Sequence, residues 1–160
     1  MRTSHIVVVL TLGLTSLGSA QAKSLHARLG GQPAIEAVVA DFAARALADQ
    51  RINKKFARTD ADRLGKMLVA MVCKVTGGPC EYPGRSMKVT HTKMGVTEGE
   101  FNALVEDLVA TLDKFKVPAQ EKSELLAILG ATKGDIVEVK GTATGTPLPT
   151  EYVPWKRPPR

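Results

Sequence analysis

Gly77-Gly78-Pro79-Cys80-Glu81-Tyr82-Pro83-Gly84-Arg85-Ser86-Met87-Lys88-Val89-Thr90-His91-Thr92-Lys93-Met94-Gly95-Val96-Thr97 is the stretch on which the fold turns. Its first three residues stop the helix before them, because glycine takes a left-handed cap readily and proline cannot continue a helix. Cys80 to Arg85 reads as a loop, with Pro83 and Gly84 as turn residues. Ser86 to Lys93 has room for one short helix, on which Met87 and His91 stand at i and i+4, one above the other. Gly95 ends it. Thr97, with Glu100 three residues on, is a capping box that opens the next helix.

Helical spacing extends outward from this stretch on both sides. Upstream, Leu64, Met67, Leu68, Met71, Val72 and Val75 recur at three and four after Asp60, a good N-cap. Asp49 to Thr59 is polar and basic around Ile52 and Phe56, and reads as a loop or short turns. Before it, Pro33 opens a helix carrying Ile35, Val38, Val39, Phe42, Ala46 and Leu47. Downstream, Phe101, Leu104, Val105, Leu108, Val109 and Leu112 form one helix face, broken at Val117-Pro118. A last helix carries Leu125, Leu126, Ile128, Leu129 and Ile136. No strand alternation rises above this pattern, so the expected fold is all-α, a single domain of four main helices and short pieces.

The two ends differ from the middle. Arg2, the apolar Ile6 to Leu17 and the small residues Ala20-Gln21-Ala22 make the three-part pattern of a secretory signal peptide. The apolar run is short and interrupted for a membrane span, although an uncleaved anchor is the competing reading. The chain thus divides into a leader, 1–22, a helical domain, 23–140, and a Pro-rich tail, 141–160, expected to be extended or disordered. Cleavage after Ala22 leaves 138 residues, enough for a normal core and with no stable membrane span. It also places the protein in the periplasm or outside the cell.

The mature chain keeps 21 basic against 16 acidic residues, scattered except for a small cluster at the C-terminus. A nucleic-acid surface would need a basic stripe with aromatic partners, and none is visible. Cys73 and Cys80 either form a disulfide, which export permits, or leave Cys73 as a small apolar core residue. There is no C-x-x-C-H haem attachment motif and no second cysteine pair for zinc. Nor is there a Ser-His-Asp set, a paired-carboxylate signal or a phosphate loop, so acid–base enzymology by the protein itself is disfavoured. Of the three histidines His5 lies in the leader, leaving His26 and His91.

Leu25-His26-Ala27-Arg28-Leu29-Gly30-Gly31 resembles the opening of the group I truncated haemoglobins. Gly77-Gly78-Pro79, Tyr82 to Met87 and His91 to Thr97 resemble that family's proximal segment. Phe101 follows, Val117-Pro118 sits at the family's break before the last helix, and Gly134-Asp135-Ile136-Val137 resembles its ending. The likeness runs from about Ser24 to Val139. It implies a shortened globin fold, two helices over two, with haem b between them and His91 as the proximal iron ligand. Phe42, Phe56, Met87, Val96 and Phe101, with Leu129, would pack on the haem, and Arg85 or Lys88 would reach a propionate unless simply solvated. Thr132 stands where some relatives attach haem through histidine, which implies a non-covalent haem.

The departures bear on function. Ala43 follows Phe42 where oxygen-binding relatives carry tyrosine, and Leu64 and Leu68 fall where they carry polar distal residues. Distal donors help decide between holding oxygen, activating it and transferring electrons. Met67 falls where some relatives place an iron-binding histidine or lysine, with Lys66 one residue out of register. Met67 either ligates iron, as in cytochromes, or fills a core stripe. The leading expectation is an exported redox or electron-transfer haem protein serving a partner protein. Binding of oxygen, nitric oxide or carbon monoxide at an open site, or nitric oxide detoxification, is the second. A haem-free helical interaction module is the third.

Overall fold

The computed structural model describes residues 22–154; the expected leader lies outside them except for Ala22, as do residues 155–160. Helix starts follow the side-chain caps. The Ser24 hydroxyl accepts from the Ala27 N–H and opens α1, Leu25–Arg28. Gly30, at φ 97°, turns the chain into α2, Gly31–Ala48, with Pro33 in its first turn. The Asp60 carboxylate accepts the Arg63 N–H and opens α3, Ala61–Val75. Ser86 caps α4, Met87–His91, and the reciprocal Thr97–Glu100 box caps α5, Glu98–Lys114. Pro118 precedes α6, Ala119–Gly130. Ile136 was expected on this last helix, but the chain turns at Ala131 and Thr132 and Ile136 ends a separate short helix, α7, Lys133–Ile136. The loop expected between α2 and α3 contains one 3-10 turn, Asn53–Phe56.

α2 packs on both α3 and α5, and α5 packs on α6, giving two helix pairs, one over the other. The main core brings Ile35 and Val39 of α2 together with Val72 of α3, Leu108 and Leu112 of α5 and Leu125 of α6. α4 packs instead on α7. Among the described residues no helix is long and apolar enough to cross a membrane.

The described part of the tail is extended, but it is docked rather than disordered. Val139 N–H donates to Val96 O at 3.0 Å, and Gly99 N–H to Gly141 O at 3.0 Å, so this segment runs alongside the start of α5. A Cβ on Gly99 would meet the carbonyls of Thr142 and Ala143, which is why the approach needs glycine there. Further on, Leu148 and Tyr152 pack against Met94, Val96, Phe101 and Ile136. Periodicity could not show this, because the segment's hydrogen bonds go to elements remote in sequence.

Cys73 and Cys80 form a disulfide, with Cys73 fully buried at the end of α3. The two sequence expectations for Cys73 were therefore compatible: it is both core and bonded. The bond closes a short loop around Gly77-Gly78-Pro79, tying α3 to the chain that leads into α4. Replacing both cysteines with serine is expected to lower unfolding free energy by about 2–3 kcal/mol, from loop-closure entropy, as read by urea titration of the oxidised wild type against the variant.

Candidate functional site

His91 is the last residue of α4 and is half-buried. Its Nδ1 lies 2.8 Å from the carbonyl oxygen of Met87, one turn back. A carbonyl only accepts, so Nδ1 carries the proton and donates it, and the lone pair of Nε2 is left available. Burial holds the imidazole below its ordinary pKa; the Met87 carbonyl and the Glu138 charge act in the opposite direction and do not overcome it. The ring is therefore a neutral imidazole with one free donor nitrogen, the form that binds a metal.

The surroundings are apolar. Met87, Val96 and Phe101 belong to one cluster with Met94 and Ile136. On α3, Leu64, Met67, Leu68 and Met71 follow the helical stripe, yet all four are only half-buried. Leu68 and Met71, with Phe42 of α2 and Leu129 of α6, line a cavity whose lining side chains are all apolar. Leu64 and Met67 belong to none of the three core clusters among the described residues. Phe56 packs apart from these, beside Ala46, Ile52 and Ala103. Arg85 and Lys88 are exposed, just before and within α4.

This donor set suits haem. Among the described residues no three His, Cys, Asp or Glu side chains gather to hold a bare ion. A metal held through one imidazole must bring most of its own ligands, and a porphyrin does so. The half-covered apolar stripe of α3 suits its faces, and exposed basic side chains suit its carboxylates.

Residues 24–138 match the bacterial-like globin family model. The chain belongs to the bacterial-like globins. It is 30% identical over 115 residues to the group 1 truncated hemoglobin of Tetrahymena pyriformis, covering 72% of this chain and 95% of that one. With group 1 truncated hemoglobin GlbN of Synechocystis it shares 34% over 112 residues, covering 68% and 90%. The Fe(III) crystal structure of the Tetrahymena pyriformis protein superposes with a TM-score of 0.69 over 72% of this chain and 98% of that one. The group II truncated hemoglobin of Bacillus anthracis, 18% identical at TM-score 0.70 over 76% and 95%, shares the fold. This globin thus has the two-over-two helical fold of the truncated haemoglobins and is a haem-binding protein whose cofactor is haem b. Its membership leaves the haem-free interaction module without support.

Three charged residues beside the site escaped the sequence reading as site residues. Lys55, in the 3-10 turn, is 5% exposed and stands 3.5 Å from the Glu100 carboxylate, itself 2% exposed. Glu138 accepts the N–H groups of Lys93 and Gly95, each at 2.7 Å. Glu100 had one readable signal, its place in the capping box. Lys55 and Glu138 had none, because their partners lie about forty or more residues away in the chain.

Proposed function

We propose that this globin is an exported redox protein that carries haem b non-covalently, with His91 as proximal iron ligand and Met67 as the sixth, and that it exchanges electrons with a partner protein. The observation that carries the reading is the 2.8 Å contact between His91 Nδ1 and the Met87 carbonyl, which fixes the tautomer and leaves Nε2 to coordinate. When bound, the haem would be held through iron by His91 and Met67 and would supply an Fe(III)/Fe(II) couple. The half-buried Met67, outside every core cluster, supports thioether ligation. A histidine–methionine pair raises the reduction potential, which suits electron transfer. Thr132 donates its hydroxyl to the Leu129 carbonyl at 2.6 Å, and offers no imidazole to capture a vinyl group. The small-residue site at Ala20-Gln21-Ala22 supports export, and N-terminal sequencing of the secreted protein is expected to begin at Lys23.

The ferric and ferrous optical spectra of haem-loaded wild type and Met67→Leu test the ligand set. The wild type is expected to be six-coordinate and low-spin, with a weak far-red sulfur-to-iron band in the ferric state. Met67→Leu is expected to lose that band and turn high-spin. An unchanged spectrum in Met67→Leu would sink thioether ligation.

The apolar cavity lined by Phe42, Leu68 and Leu129 favours a second reading, binding of oxygen or nitric oxide, because dry apolar cavities admit small apolar molecules. Immediate binding of carbon monoxide by the ferrous wild type, with a spectrum matching that of Met67→Leu, would favour it.

A further inference from the structure

The chain leaving His91 is held from both edges by opposite charges. Lys93 and Gly95 both take the left-handed conformation, at φ 65° and 62°. Lysine rarely adopts that region unless its surroundings impose it. Here the Glu138 carboxylate accepts the Lys93 N–H on one oxygen and the Gly95 N–H on the other. On the other edge the Lys55 ammonium donates to the Met94 and Gly95 carbonyls at 2.9 and 3.0 Å. Met94 N–H returns to the His91 carbonyl at 3.0 Å.

Both clamping residues are themselves anchored. Glu138 N–H donates to Val96 O at 2.9 Å. Lys55 also bonds the Pro147 carbonyl at 3.2 Å and pairs with Glu100, whose carboxylate accepts the Thr146 N–H at 2.8 Å. The docked tail therefore closes the clamp, and this tail continues past residue 138, where the match to the family model ends.

We infer that Glu138, with Lys55 opposite it, is a positioning residue for the proximal ligand: by fixing the loop at the end of α4 it sets the orientation of the His91 ring and so the strength of its bond to iron. The inference rests on His91 being that ligand. α4 is too short to hold its last residue alone, and the loop's backbone groups are satisfied from two sides, by Glu138 on one edge and Lys55 on the other. Outer partners of a metal-bound histidine commonly change metal retention by about 10–100-fold.

Glu138→Gln tests this with little change of shape. In the apo protein, amide exchange at Lys93 and Gly95 is expected to quicken, because the amide has one good acceptor for two N–H groups. In the haem-loaded ferrous protein, freed of any sixth ligand by Met67→Leu, the iron–histidine stretching band is expected to shift and broaden, and haem loss to rise about tenfold. The same substitution made in His91→Gly, with free imidazole supplying the ligand, is expected to do neither, since that imidazole is not tethered to the loop. An unchanged band and loss rate in Glu138→Gln, while His91→Gly still needs imidazole, overturns the proposal and leaves the ligand assignment standing. An equal effect in the imidazole-filled variant also overturns it, since Glu138 would then act without the tether. A native spectrum in His91→Gly without imidazole overturns the ligand assignment and the proposal together.

Discussion

His91→Gly is expected to lower haem retention by more than about 100-fold, beyond the range typical of losing an outer partner of a ligand. Added imidazole should restore much of the wild-type spectrum, and transfer of haem to a scavenging apo-globin would read the rate. The same histidine sets an acid limit. Its folded pKa lies below its unfolded value, so between the two the unfolded chain binds more protons. In the apo protein the stability it contributes is therefore complete above the unfolded value, about 6.5, and declines as pH falls through the folded one. Urea titration of the apo protein across that range should show the decline, and His91→Gly should lose that component.

The second large effect is on stability. Lys55→Met is expected to lower unfolding free energy by about 3–5 kcal/mol, because it leaves the buried Glu100 carboxylate without its cation. The Thr97 and Thr146 donors remain to Glu100, but they are neutral. Adding Glu100→Gln to Lys55→Met should recover part of the loss, since the uncompensated charge is removed. Urea titration of the apo protein, followed by far-ultraviolet circular dichroism, gives all the corners of the cycle. Strict additivity of the two single substitutions would mean that the pair is not coupled.

These two effects differ in how well the sequence announced them. α3 and α5 could be read from spacing because each combines a side-chain cap, Asp60 or Thr97, with an apolar face repeating at three and four. His91 stood out only through the resemblance of the stretch from Gly77-Gly78-Pro79 to Thr97 to the proximal segment of the truncated haemoglobins. Its tautomer followed only once the Met87 carbonyl was in place. Lys55 could not be read, since a lysine in a polar loop is ordinarily exposed and its partners, Met94, Glu100 and Pro147, are brought to it by the fold. The docking of the extended tail was hidden for the same reason: Thr146 and Leu148 acquire order from Glu100 and the Met94–Phe101 cluster, not from their neighbours in sequence. On α3 the reverse held. Periodicity placed Leu64 and Met67 on the stripe, but only the structure separated them from Leu68 and Met71, which face the cavity.

His91 as the iron ligand is tested by resonance Raman spectroscopy of the ferrous haem-loaded protein, freed of any sixth ligand by Met67→Leu, with and without ¹⁵N-histidine. Among the described residues His26 and His91 are the competing imidazoles. The expected result is an iron–histidine stretching band that moves on ¹⁵N labelling, persists unchanged in His26→Gln and disappears in His91→Gly. A band that survives His91→Gly, or that vanishes with His26→Gln, would contradict it.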